Sequence, residues 1–275
     1  MSDIRTRQER AEQFRSLHDD FLVLPNAWDA GSAHLITAAG AKAIATSSGA
    51  QSWSQAVPDG RSLAMADVLA NIERIVAATG LPVSADIENA YADSADGLRA
   101  TVTQFLATGI VGVNLEDSGA SDGPLYDTAA AADRVAAARA AAKDTGVDLF
   151  VNARTDVFLL AVGEEDGRLA DVIARGNAYR EAGADGLFVP GLLNTGALGT
   201  VARETGLKIN AMWLPGAPAP EELRDAGVSR YSAGTAIAQV AYTGAFDAAR
   251  SFLAGLYTPM VGAIDYFAFN DKFAK

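Results

Sequence analysis

The chain has 275 residues, 49% of them hydrophobic, and carries a formal charge of −12 at pH 7 with no cysteine. That length and apolar content can supply the large core of one α/β barrel domain. The acidic balance disfavours a nucleic-acid footprint or an anionic membrane surface, and the missing cysteines exclude disulfides, thiolate zinc sites and a cysteine nucleophile.

Residues 1–20 are highly charged and lack the apolar stretch of a signal peptide. Nowhere do about eighteen apolar residues follow one another, so the expectation is a soluble, cytoplasmic protein. His18 in that polar leader and His34 in a helix predicted over residues 30–39 are the two imidazoles, and both are read as structural. Short apolar segments fall at residues 21–24, 43–46, 83–85, 111–115, 149–152, 186–189, 208–211 and 230–232. Near-continuous apolar runs alternating with amphipathic stretches predict parallel strands buried by helices, and eight of them favour a closed (β/α)8 TIM-type barrel over an open sheet. Ala39-Gly40-Ala41, Thr108-Gly109-Ile110, Ala182-Gly183-Ala184 and Ala226-Gly227-Val228 each end a helical pattern with glycine where a left-handed cap is needed. The alanine-rich residues 129–142 predict a plain helix, and the proline-rich residues 214–220 the loop after the seventh strand.

After Gly244 the helical pattern resumes, and residues 257–273 are rich in aromatics, with Phe267, Phe269 and Phe273 near the chain end. So much aromatic surface predicts a subunit contact. The expected organisation is one barrel domain over residues 1–275, with 245–275 as a C-terminal helical oligomerisation segment.

Two acidic clusters, Asp86-Ile87-Glu88 and Glu116-Asp117, stand where short apolar strands run out. Carboxylates at neighbouring strand ends repel one another, and a hard divalent cation such as Mg2+ or Mn2+ would neutralise them. The alternative is that they are solvated carboxylates capping the next helices. The same barrel end would carry Ser47, Ser48 and Gly49 after the second strand, Arg154 after the fifth, Asn210 in the seventh and Ser232 after the eighth. A cation, an arginine and small hydrogen-bond donors suit the chelation of an oxo or hydroxy acid and the stabilisation of an enolate.

In these residues the chain resembles the isocitrate lyase and phosphoenolpyruvate mutase superfamily. The carriers are Pro25-Asn26-Ala27-Trp28-Asp29, Ser48-Gly49-Ala50, Val57-Pro58-Asp59, Ser84-Ala85-Asp86-Ile87-Glu88, Gly112-Val113-Asn114-Leu115-Glu116-Asp117 and Asn152-Ala153-Arg154-Thr155-Asp156. The resemblance implies a barrel whose last helix is exchanged between subunits, often in a tetramer, and a metal reached by Asp86, Glu88 and Glu116, partly through water. It also implies that Ser48, Gly49 and Ala50 bind the carboxylate or enolate oxygen, with Asp59 and Arg154 at the site. Glu88 stands where the superfamily frequently has the shorter aspartate.

Two departures bear on the reaction. Lyases of the superfamily that cleave isocitrate-like substrates carry a K-[KR]-C-G-H loop with an acid/base cysteine, and residues 118–126 stand in its place here with neither cysteine nor histidine. After the sixth strand, Phe188-Val189-Pro190-Gly191 lacks the glutamate that some of these lyases place against an additional substrate carboxylate. Tyr126 or Asp122 could replace the missing acid, and the glycine-containing loop could close over the ligand. The resulting expectation is a magnesium-dependent enzyme acting on a small 2-oxo or 2-hydroxy carboxylic acid through an enolate, of the C–C lyase or decarboxylase type. Catalysis is expected from Arg154, Asp59 and Ser48, and substrate binding from Ser47, Ser48, Gly49, Ala50, Arg154, Asn210 and Ser232. The alternatives are P–C chemistry, as in phosphoenolpyruvate mutase or phosphonopyruvate hydrolase, and a catalytically silent metabolite-binding barrel.

Overall fold

The first stave runs past the predicted residues 21–24: Pro25 separates β1 (Leu22–Leu24) from β2 (Asn26–Ala27), and that break closes the sheet. The computed structural model describes residues 4–60, 62–119 and 123–274. The other strands are β3 (Ile44–Thr46), β4 (Val83–Asp86), β5 (Gly112–Glu116), β6 (Phe150–Arg154), β7 (Gly186–Phe188), β8 (Lys208–Met212) and β9 (Val228–Ser232). Each pairs in parallel with its neighbour, in the order β1-β9-β8-β7-β6-β5-β4-β3-β2. Since β1 and β2 are one stave interrupted at a proline, its two halves pair with the last strand and the next one, and the sheet becomes a (β/α)8 barrel. All eight predicted strands are present.

The connecting helices are α2 (Ala30–Ala38), α3 (Ser48–Ser54), α4 (Met65–Ala78), α5 (Ala95–Ala107), α6 (Thr128–Thr145), α7 (Arg168–Glu181), α8 (Thr195–Thr205) and α9 (Pro220–Asp225), preceded by α1 (Ile4–Leu17) and followed by α10 (Ala236–Leu253). Their inner faces bury Ile72, Phe105, Val135, Val172 and Leu198 against the strands. The four predicted glycine caps hold, with φ of +98° at Gly40, Gly109 and Gly183 and +87° at Gly227. Any side chain there would be strained in the left-handed region.

The charged leader is not a loose tail. Its helix α1 carries Phe14, fully buried, into contact with Phe150 on β6, which plugs the barrel's N-terminal mouth. His18 follows it inside, stacked on the Phe150 ring at 4.1 Å, with Nδ1 2.7 Å from the carbonyl of Phe14. Burial, with Arg230 adding, drives the His18 pKa down to about 3, so the folded protein holds a neutral ring. The unfolded chain binds that proton near pH 6.5. Stability from this site is therefore complete above pH 6.5 and is lost as pH falls below it, by about 1.4 kcal/mol per pH unit. The expected result is that His18→Phe flattens the acid limb of the stability profile between pH 6.5 and 4 in denaturant titrations; an unaltered slope would show that His18 is not the responsible group.

At the other end of the chain, α10 runs straight through Gly244, where a new helical segment was expected to begin. It leads to α11 (Thr258–Val261) and α12 (Tyr266–Asp271). Phe246, Leu253, Val261, Tyr266 and Phe267 along this stretch are each at least two-thirds exposed. A second apolar feature is a groove of about 780 Å³ between the end of α1, β1 and α2, lined by Leu17, Phe21, Val23, Leu35, Ile36 and Ile237 among others. Among the described residues no helix is long and apolar enough to cross a membrane.

Candidate active site

Side chains alternate along a strand, so every second residue of a barrel strand faces inward. On β4 and β5 that places Asp86, Asn114 and Glu116 at the C-terminal mouth, and on β6 it adds Arg154, paired in register with Glu116. A cavity of about 280 Å³ opens there, lined by Asn26, Ser47, Ser48, Gly49, Asp59, Asp86, Asn114, Arg154, Phe188, Met212, Ser232 and Thr235 together with Leu159, Pro190, Leu214 and Gly234. Unlike the larger apolar groove, it gathers ionisable and hydrogen-bonding groups in one place, at the barrel end where such folds do their chemistry.

Ser47, Ser48 and Gly49 do not form a simple turn; they begin α3, with Ser47 as the cap accepting from the N–H of Ala50. Ser48 donates from Oγ to Asp86 Oδ2 at 2.9 Å, and its N–H approaches the same oxygen at 3.4 Å. A Cβ at Gly49 would lie 2.8 Å from Asp59 Oδ2 and 3.3 Å from Thr235, so a side chain there would displace the Asp59 carboxylate. Asp59 thus closes over the start of α3. Asn26 ties the opposite wall together, its Oδ1 accepting from the N–H groups of Ala233 and Gly234, each at 3.0 Å.

Arg154 bridges two acids. Its Nε and Nη2 grip Asp156 at 2.6 and 3.0 Å, while Nη1 lies 2.9 Å from Glu116 Oε2. Ser118 donates to the other Glu116 oxygen at 2.6 Å. Burial pushes the Glu116 carboxyl up to about 7; Arg154 opposes this, whereas Asp86 and Asp156 add to it. Burial also disfavours the charge on Arg154, but Glu116, Asp156 and Asp86 outweigh it and keep the guanidinium charged. Among the described residues the pocket carries more buried acid than Arg154 offsets.

Glu88 and its neighbours are strained, with φ of 51° at Glu88, 59° at Ala90 and 54° at Tyr91. Such non-glycine conformations cost on the order of 1 to 3 kcal/mol each and gather at functional sites. The Glu88 carboxylate accepts from the Tyr91 hydroxyl at 2.8 Å and lies beside Asp86 in a small adjoining recess rather than in the main cavity.

Not every expected residue reaches the cavity. Ala50 is fully buried behind Ser47, and Asn210 lies beneath Ser232, to which its Nδ2 donates at 3.1 Å. Asp117 turns outward to accept from Tyr179 at 2.7 Å and Arg175 at 3.1 Å, so it holds the helical layer to the barrel. Tyr126 does not line the cavity; its ring lies 4.4 Å from the guanidinium of Arg134. Asp122 lies outside the described residues. The sequence reading assigns no role to Asp156 or Asn114, although each sits two residues from a site residue on the same strand path, the spacing that turns side chains the same way.

A barrel with an acidic, arginine-bearing pocket at the strand C-termini defines the general class, a (β/α)8 enzyme. The family model for phosphoenolpyruvate phosphomutase matches residues 14–253, and the chain belongs to that family, within the isocitrate lyase and phosphoenolpyruvate mutase superfamily. Uncharacterized protein Rv1998c of Mycobacterium tuberculosis is 35% identical over 254 residues, spanning 90% of this chain and 91% of that protein. The 2-methylisocitrate lyase of Bacillus subtilis is 31% identical over 66% of this chain and 60% of its own length. Among solved structures, a lyase/mutase of unassigned reaction from Burkholderia cenocepacia J2315 superposes with a TM-score of 0.92 at 35% identity, covering 98% of both chains. A phosphonopyruvate hydrolase solved with oxalate and Mg2+ shares the fold, with a TM-score of 0.82 at 22% identity over 96% of this chain and 94% of that one. Lyases such as 2-methylisocitrate lyase and 2,3-dimethylmalate lyase are among the relatives, and this chain is an enzyme of that superfamily.

Proposed function

We propose that the protein is a Mg2+- or Mn2+-dependent enzyme that makes or breaks a C–C bond next to the carboxylate of a small 2-oxo or 2-hydroxy acid, through an enolate. The observation that carries this reading is the 280 Å³ cavity in which Asp86, Asp59, Ser48 and Arg154 meet. Its size matches an acid of a few carbons, and Phe188 and Pro190 occupy the wall where an additional substrate carboxylate would need a charged partner.

Among the described residues no group of three acidic or histidine side chains converges closely enough to hold a bare ion. The donor set fits a hydrated one. Mg2+ characteristically keeps several waters and takes one or two carboxylates, and Asp86 faces the cavity with Glu88 and Glu116 flanking it. When bound, the ion would polarise the oxo group as a Lewis acid. Ser48 holds the Asp86 carboxylate in place, Arg154 offers positive charge to the developing enolate, and Asp59, free of any ion pair among the described residues, is the carboxylate available for proton transfer at the cavity mouth.

The chemistry of the lining favours C–C over P–C bonds. Among the described residues Arg154 is the one cationic side chain lining the cavity, and it already serves two carboxylates, whereas a phosphoryl group calls for several cationic partners. The deciding measurement is a screen of small 2-oxo and 2-hydroxy acids with Mg2+, read by pyruvate or carbon dioxide release. Phosphate release from phosphonopyruvate, followed by phosphorus NMR, would reverse the ranking. Binding without turnover across the panel would instead identify a metabolite-binding barrel.

Arg154→Lys provides a sharper test. An ammonium cannot grip Asp156 with two parallel bonds while reaching Glu116. Catalytic efficiency is expected to fall by roughly 2 to 4 kcal/mol of transition-state stabilisation; wild-type kcat/KM in the variant would place Arg154 outside the reaction.

A further inference from the structure

The middle of this barrel is polar where barrels of this type are filled by Val, Ile and Leu. Asn114, Asn152, Asn210 and Arg230 are all buried there. Arg230 is only 1% exposed, its Nε and Nη1 have no hydrogen-bond partner, and among the described residues no carboxylate lies within ion-pair distance of it. Its Nη2 donates to Asn114 Oδ1 at 3.2 Å, and Asn152 Nδ2 donates to the same oxygen at 2.9 Å.

Two donors on one amide oxygen decide which way the amide faces. With Oδ1 turned down toward Arg230 and Asn152, the Nδ2 group of Asn114 is the end left for the cavity, which Asn114 lines. It makes no hydrogen bond to the protein and is not among the buried orphaned atoms. The cavity floor is therefore a donor with an unneutralised guanidinium directly behind it, an arrangement that favours a negatively charged oxygen and disfavours an N–H group.

We propose that Asn114 is a binding and specificity-determining residue, donating from Nδ2 to an anionic oxygen of the bound acid, and that Arg230 is the positioning residue that locks its amide. This rests on the cavity binding a small 2-oxo acid, as proposed above.

The test is titration calorimetry with Mg2+ and two planar probes: oxalate, which mimics the enolate of a 2-oxo acid, and oxamate, in which one carboxylate is an amide. Wild-type protein is expected to bind oxalate in preference to oxamate. Asn114→Asp exchanges the donor for an acceptor in the same shape, so oxalate affinity should drop at least tenfold while oxamate loses less, narrowing or inverting the preference. Because the new carboxylate faces the unpaired Arg230, the melting temperature should hold or rise, which loss of affinity through structural damage would not produce. Arg230→Lys should weaken oxalate binding with Asn114 still present. Should Asn114→Asp fail to fold, Asn114→Ala removes the donor without adding a charge and is expected to show the same loss for oxalate. Unchanged affinity and preference in the Asn114 variants would overturn the inference alone. Failure of wild-type protein to bind oxalate would overturn the functional reading and this inference with it.

Discussion

Replacing Asp86 with asparagine is expected to abolish binding of Mg2+ and Mn2+ and to lower turnover at least about a hundredfold, close to 3 kcal/mol of transition-state stabilisation. Asparagine keeps the shape and can still accept from Ser48 Oγ, so what is lost is the negative charge where a hydrated cation would sit. The same charge raises the Glu116 pKa in the ligand-free protein. Removing it should therefore leave the fold intact and hold or raise the melting temperature without metal, a combination that separates a ligand from a structural acid. Glu116→Ala should also weaken metal binding but destabilise the fold, since it leaves Arg154 with Asp156 as its sole partner in an ion pair. Calorimetry showing wild-type metal affinity in Asp86→Asn would refute the assigned site.

Removing residues 257–275 is expected to convert an oligomer into smaller and less stable species. Tyr257, Phe267 and Tyr266 expose 58%, 76% and 75% of their surface in the single chain, whereas burying such a side chain yields roughly 1.5 to 3 kcal/mol. Several together are comparable with the roughly 5 to 15 kcal/mol that stabilises a whole domain. The apolar groove beside β1 and α2 offers a matching surface on the barrel, and Phe273 already stacks on His34 of α2 at 5.0 Å. We propose that a second copy covers these surfaces, with the segment from α10 onward at the contact. Light scattering and thermal unfolding of the full-length and shortened chains decide it: a full-length monomer at micromolar concentration, or a shortened chain that keeps its assembly and melting temperature, would return these aromatics to the protomer.

Much of the barrel was legible in the sequence because its signals are local. Eight apolar runs and four helix-ending glycines follow from strand burial and backbone sterics, which act within a few residues, and they marked every stave. The acidic strand ends and Arg154 were visible for the same reason, as polar residues ending apolar runs. What lay beyond a linear reading was partnership. Pro25 divides a strand only because its two halves find different neighbours on closure. Glu116 and Asp117 are adjacent in sequence, yet strand alternation sends one to Arg154 at the barrel mouth and the other to Arg175 and Tyr179 in the helical layer. The pairing of Arg154 with Asp156, the burial of His18 beneath Phe14 and Phe150, and the meeting of Asn114 with Arg230 across 116 residues each depend on where distant strands and helices come to rest. Composition and periodicity specify which side chains turn inward, but only tertiary packing, which sets distance and excludes water, decides which of them face one another and so what charge each can hold.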